Sequence, residues 1–385
     1  MVDIVRLKKE DYDELLSLYN LVFTKQNQRL MDFTKELPRM WIRDDEHMGK
    51  HFAVKENGKI CAALGVYPLQ TNIMGEKLLF STVGNVATHP DFEGRGYMKM
   101  LMGKAMEELE KIGADASRLG GLRQRYNHYN YEYCGEIFHF AFTERNRKLC
   151  CHDIADELRF LEVGENDEKA IRQIAEWNKK QKINVSYAGE YETRDVYLAL
   201  RAWDNRIFIA RNDNGDFVGY VCAFPDGGTL ARVGAADKKS LVQTICSWQK
   251  LVDKTIEFSL APYQIEEVAQ FSDICENFYI GSPSMFKIIN WEKVVRALLK
   301  LKSSYVNLPD GKFVIKIEQY GKLCLIVRNN ECFCEKTDEK EEITLNRLQA
   351  ARFLFGPISP EYYGVKNIAV TWFPLPLYWD MQDRV

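Results

Sequence analysis

"THPDFEGRGYMKML", residues 88–101, sets two glycines around an arginine, just after a proline turn and directly before a helix-forming run. Glycine is costly there unless the backbone must take positive φ or let something approach closely. From Tyr97 the pattern is helical: Met98, Leu101, Met102, Ala105, Met106, Leu109 and Ile112 make one apolar stripe, closed by Gly113. Helix N-termini favour acidic residues because the macrodipole is positive there, yet Arg95 and Lys99 flank this one. A multiply charged anion, a phosphate or pyrophosphate, on the exposed N–H groups of Gly94 to Met98 would explain both features.

Three familiar phosphate loops fail on spacing. A Walker loop needs Gly-Lys followed by Ser or Thr, but Ala105 follows Gly103 and Lys104, and Met98 stands at the earlier glycine position. The dinucleotide fingerprint needs a third glycine where Lys99 stands, and the kinase loop lies between two strands. The plainer alternative is a glycine turn that merely starts a helix. It leaves the basic character of the turn without a cause.

Outward from this loop, the chain has 385 residues, 46% hydrophobic and 28% charged, which suits two or three globular domains. A net charge of −3 argues against a nucleic-acid binder. The start, "MVDIVRLKKEDYDELL", carries charges where a signal peptide needs an apolar core, and no apolar run is long enough to span a bilayer. The expectation is a cytoplasmic protein. Ten cysteines without a repeating framework read as free thiols. Cys150, Cys151 and His152 are adjacent, and Cys332 and Cys334 alternate along a strand. Both groups read as buried small hydrophobes, and no metal site is expected.

A weak internal repeat organises the chain. Residues 52–68, "FAVKENGKICAALGVYP", resemble 208–225, "FIARNDNGDFVGYVCAFP"; each reads as a hairpin around Asn-Gly. Upstream of each lies an amphipathic helix, with Tyr12, Leu15, Leu16 and Tyr19 in the first and Ala170, Ile171, Ile174 and Trp177 in the second. After its hairpin the first copy runs strand, glycine loop, long helix. The second runs strand and helix with no glycine pair. From about Pro283 a third region follows: a strand and helix at 285–300, alternating strands at 312–337, and a helix ending at Gly356. The tail "VTWFPLPLYWDMQDRV" is too aromatic to stay exposed and should dock.

"VATHPDFEGRGYMKMLM" resembles the acetyl-CoA-binding motif of the GCN5-related N-acetyltransferases. The resemblance puts Val86, Ala87 and Thr88 on the strand that pairs with the pantetheine arm. It puts Glu93, Gly94, Arg95, Gly96, Tyr97 and Met98 on the pyrophosphate loop. Glu93 stands where the family has Gln or Arg and should point to solvent; Met98 replaces a small residue. "RYNHYNYE", residues 125–132, resembles the segment after the next strand, which places Tyr126 on the catalytic tyrosine. Asn130 stands in for a glycine, as a residue that tolerates left-handed angles. Gly121, ahead of that segment, joins the cofactor-binding set.

The three-part layout resembles the Eis-type acetyltransferases. That implies a mixed α/β (α+β) fold of tandem GNAT domains plus a C-terminal sterol-carrier-protein-like domain. The expected division is a catalytic domain at 1–150, a degenerate GNAT-like domain at 151–283, and a C-terminal domain at 284–385 whose tail docks toward the active site. It also implies a homo-oligomer, trimer or hexamer. The implied reaction is direct transfer of an acetyl group from acetyl-CoA to a primary amine of a small cationic acceptor. An amine with pKa near 10.4 must lose a proton, and the leaving thiolate, near 8.5, is better expelled protonated. Tyr126 is assigned as the acid, with Arg123 or Arg125 as a helping cation, and the carboxylate of Val385 as the base. Glu132 and His128 are rival bases. Segment 23–46 offers Phe33, Trp41, Asp32, Glu36, Asp44 and Asp45 for an acceptor pocket. The alternative functions are a non-catalytic acyl-CoA sensor or scaffold and, more remotely, a lipid carrier.

Overall fold

The computed structural model describes residues 2–152, 158–181, 185–187 and 193–380. The first stretch runs β1 (Val2–Arg6), α1 (Tyr12–Asn27), the single-turn helices α2 (Phe33–Glu36) and α3 (Asp45–Met48), then β2 (His51–Glu56), β3 (Lys59–Ile73) and β4 (Glu76–Thr88). Helix α4 (Tyr97–Lys111) leads to β5 (Ala116–Leu119), α5 (Arg123–Asn127), β6 (Glu132–Cys134) and β7 (Ile137–Phe142). Next come α6 (Glu144–Cys150), β8 (Arg159–Glu162), α7 (Glu168–Gln181), β9 (Val185–Tyr187) and α8 (Thr193–Leu200). They are followed by β10 (Arg206–Arg211), β11 (Phe217–Ala223), β12 (Leu230–Ala235), α9 (Lys238–Val252), β13 (Ile256–Leu260), α10 (Ile265–Ile274) and β14 (Asn277–Gly281). The last part holds β15 (Ser284–Ile288), α11 (Trp291–Ser303), β16 (Gly311–Ile317), β17 (Gly321–Arg328), β18 (Glu331–Lys336), β19 (Ile343–Leu345), α12 (Arg347–Phe355) and α13 (Ala369–Trp372).

The fold is mixed α/β. Both expected hairpins form: β2 and β3 turn at Asn57 and Gly58, each at positive φ, and β10 pairs antiparallel with β11. The principal sheet has the order β1-β2-β3-β4-β5-β15-β6, with β9 also on β3. β1 to β4 are an antiparallel meander, whereas β4 and β5 run parallel because α4 crosses between them. One face packs under α4, where Leu101, Met102, Ala105 and Leu109 meet Val54, Leu64, Val66 and Val83. The other face carries α1 and α2, with Leu15, Tyr19 and Phe33 over the small residues Ala53, Ala63 and Ala87. Beside the expected apolar stripe of α4, Glu108 is also buried and pairs with Arg6 at 2.7 Å.

Two strands cross between sheets. β7 leaves the principal sheet and lies between β13 and β14, while β15, far along the chain, inserts between β5 and β6. β8, β10, β11 and β12 form a separate four-stranded sheet, and β16 to β19 another, covered by α11 and α12. The aromatic tail does dock. Phe373, Leu375, Leu377 and Trp379 are buried, Trp379 stacks on Phe80 of β4 at 5.5 Å, and Asp380 pairs with Arg232 of β12.

Candidate active site

The site begins with a defect in β4. Asn85 takes φ 54°, the register with β3 slips beside it, and its Nδ2 donates to the Tyr67 hydroxyl at 2.8 Å. Asparagine is among the few side chains at home there. A bulge bends the strand that carries it. β4 therefore pairs with β5 only at Phe80, Ser81 and Thr82, although it follows β3 as far as Thr88. Past Thr82 the two parallel strands part. The backbone of Val86, Ala87 and Thr88 lies along the opening, where an extended ligand arm could pair with it as a strand would.

The crossover returns α4 so that its N-terminus sits at the C-terminal ends of these strands. Gly94 and Gly96 take φ 77° and 80°, and a Cβ on either would meet nothing within 4 Å. Backbone conformation, rather than crowding, calls for glycine at both. Gly96 is the N-cap, brings no side-chain bond, and is followed by no acid in the first turn. The helix's first backbone bond runs from Met100 N–H to Gly96 O at 3.2 Å, so the amides before it lack helical acceptors. The corresponding helix of the second copy, α9, closes its own N-terminus: the Asp237 carboxylate accepts from Ser240 N–H at 2.8 Å. Where α9 supplies an anion from its own chain, α4 leaves the place open.

Arg95 has partners within the chain. Its Nη1 donates to Glu56 Oε2 at 3.0 Å, its guanidinium lies 4.7 Å over the Phe92 ring, and the Tyr97 hydroxyl donates to the same Glu56 oxygen at 3.4 Å. The arginine braces the loop against β2, and the case for an anion rests on the amides. Glu93 is exposed, as expected.

Tyr126 is buried just beyond β5, in the cluster that also holds Tyr97, Leu119, Tyr131 and Met285. Desolvation raises its pKa, and Arg125, hydrogen-bonded to it, opposes the rise. Of the two cations named from sequence, Arg125 is the one beside the phenol. Arg123 is committed elsewhere: its Nε and Nη2 donate to Glu132 at 2.5 and 2.7 Å. Glu132 is wholly buried, and Arg352 also donates to it. Two guanidiniums occupy the oxygens of this rival base and hold it in a structural network. Asn130 takes φ 63°, as its glycine-like place demanded. Gly121 faces the Tyr126 ring.

The acids of segment 23–46 are occupied. Asp32 caps α2 through Thr34, Asp44 caps α3 through His47, Asp45 accepts from Lys9 N–H, and buried Glu36 pairs with Arg29 at 2.6 Å. Phe33 and Trp41 are buried against Tyr19 and His51 instead of lining an acidic pocket. Burial lowers His51 to about 3, with Lys50 and His47 adding to the shift, so the ring is neutral. Val385 lies outside the described residues. Sequence reasoning missed Asn85, Glu56 and Arg352. Only Asn85 carried a local signal, as an asparagine inside an apolar strand. Among the described residues no His, Cys, Asp or Glu side chains group as a metal site would require, and no helix is long and apolar enough to cross a membrane.

Comparison with known proteins agrees with this geometry. Residues 3–134 match the family model described as an acetyltransferase (GNAT) domain. No curated protein matches the chain. Among solved structures, a GCN5-related N-acetyltransferase from Anabaena variabilis is 13% identical, with TM-score 0.66, over 99% of this chain and 98% of that one. A probable N-acyltransferase from Enterococcus faecalis is 14% identical, with TM-score 0.64, over 98% and 97%. Eis1 from Mycobacterium abscessus is 14% identical, with TM-score 0.59, over 96% and 95%. At such identities the structures speak for the shared fold alone. The family match falls on the segment that carries the bulged β4, the uncapped α4 and Tyr126, so it is residues 3–134 of this chain that match a GNAT acetyltransferase domain.

Proposed function

We propose that the chain transfers an acetyl group from acetyl-CoA to a primary amine by direct attack. The observation that carries this reading is the uncapped α4 N-terminus beside the parted strands β4 and β5. Amides of Gly94 to Met98 would take the pyrophosphate, and the backbone of Val86 to Thr88 would pair with the pantetheine arm. Both are polar groups that the protein leaves open beside one another. The residues present thus fit the donor.

Tyr126 would protonate the departing thiolate. Its burial keeps the phenol protonated, and Arg125 stabilises the phenolate that forms as the tetrahedral intermediate collapses. For proton removal from the amine the proposal retains the Val385 carboxylate. The acids of segment 23–46 serve in caps and an ion pair, and the proposal keeps a small cationic molecule as the acceptor of the acetyl group. The reading also keeps the three-module division at 1–150, 151–283 and 284–385, the last sterol-carrier-like, with β7 and β15 exchanged across its boundaries.

Purified protein with acetyl-CoA and an amine panel should release free thiol, and Tyr126→Phe should lower that rate at least about tenfold. Acetyl-CoA binding without thiol release above hydrolysis, across a wide panel, would replace this reading with that of a sensor.

A further inference from the structure

Helix α5 has five residues and no side-chain N-cap. A helix that short does not hold itself together. Something outside it must fix Tyr126. The structure shows a chain of polar contacts that does so. Arg123, the first residue of α5, grips Glu132 of β6 through both carboxylate oxygens, at 2.5 and 2.7 Å. Tyr133 N–H adds a bond to the same carboxylate at 2.9 Å, and the Tyr133 hydroxyl donates to Gly121 O at 3.2 Å. On the far side, Asn127 Nδ2 donates to Tyr131 O at 2.7 Å, and Tyr131 N–H to Tyr126 O at 3.3 Å. Tyr126 is thereby enclosed between two ends that β6 holds.

β6 in turn depends on the distant part of the chain. Its partner in the sheet is β15, and its buried carboxylate receives a second guanidinium from Arg352 of α12. Glu132 is 0% exposed, so with Arg123 alone it would be a buried charge facing a half-exposed partner. Arg352 completes the site from more than two hundred residues away. We infer that Arg352 is a positioning residue for Tyr126, acting through Glu132 and Arg123, and that it touches neither substrate. The inference rests on the reading of Tyr126 as proton donor.

A double-mutant cycle with Tyr126→Phe in the full chain tests it. Arg352→Ala should lower kcat roughly tenfold, leave the acetyl-CoA Kd within about twofold, and have no further effect once Tyr126 is phenylalanine. Arg352→Lys, which keeps the charge, should recover part of the loss. An equal fall in both backgrounds, or a loss confined to the acetyl-CoA Kd, would overturn the inference. If wild-type protein releases no thiol with any amine, the transfer reading falls instead. Hydrogen exchange over residues 122–127 then decides positioning by itself: faster exchange in Arg352→Ala supports it, and unchanged exchange refutes it.

Discussion

A Cβ placed on Gly121 would lie 2.9 Å from Cε2 of Tyr126. The bare backbone of the glycine forms one wall of the tyrosine's slot, and its φ of 134° is one that side chains rarely adopt. Gly121→Ala should therefore displace the ring and strain the chain, at about 1–3 kcal/mol of stability. With the ring displaced, kcat should fall roughly tenfold. A variant with normal kcat would mean that the ring's placement does not matter to the reaction.

The two N-caps, Gly96 on α4 and Asp237 on α9, offer a paired test. Gly96→Ala forces a left-handed backbone on a side chain at about 1–2 kcal/mol and disturbs the amides proposed to hold the pyrophosphate. Its acetyl-CoA Kd should rise markedly. Asp237→Ala removes a cap worth about 1 kcal/mol and should lower the melting temperature with no change in that Kd. Equal sensitivity of the Kd to both changes would contradict an anion site confined to α4.

His51 makes stability depend on pH. In the folded chain burial holds its pKa at about 3, below the ordinary 6.5. The unfolded chain therefore takes up a proton near pH 6.5 that the folded chain refuses until about pH 3. Stability from this group is complete above pH 6.5 and is lost as pH falls through that window, at up to about 1.4 kcal/mol per pH unit. Replacing the ring with His51→Gln should flatten that part of a melting-temperature profile, at the cost of the contact from Tyr19 to Nδ1. An unchanged acid slope would assign the dependence to other groups.

Much of this architecture was legible because local chemistry decides it. The turn at Asn57–Gly58, the stripe of α4 and the left-handed Asn130 each follow from residues within a few positions of one another. What stayed hidden depends on distant partners. β15 reads as the opening strand of the third region, and nothing in "SMFKI" says that it will insert between β5 and β6. Glu132 reads as a free carboxylate, because the second arginine that neutralises it comes from α12. The ion pair of Arg95 is hidden for the same reason. Its partner, Glu56, sits in a hairpin thirty-nine positions upstream.

Asn130 gives a short test of local strain. At φ 63° asparagine is tolerated, alanine is penalised, and glycine is free. Asn130→Ala should cost about 1 kcal/mol in chemical denaturation, while Asn130→Gly should be neutral or slightly stabilising. Equal losses in both would show that the asparagine side chain, and not the backbone angle, matters there.

Trp379 reaches the site from behind. It stacks on Phe80, and Phe80 pairs with Ala116 in the short stretch where β4 and β5 still hold together before they part. The indole thus presses on the closed end of the opening proposed to admit the pantetheine arm. Trp379→Ala should cost about 3–5 kcal/mol of stability through the cavity it leaves. It should also speed amide exchange at residues 80–82 and 116–118 more than along α4, because those strands lose their cover. Trp379→Phe, which keeps a ring on Phe80, should restore slow exchange. If Trp379→Ala lowers the melting temperature but leaves those amides as slow as before, the tail stabilises its own region without bracing the cleft.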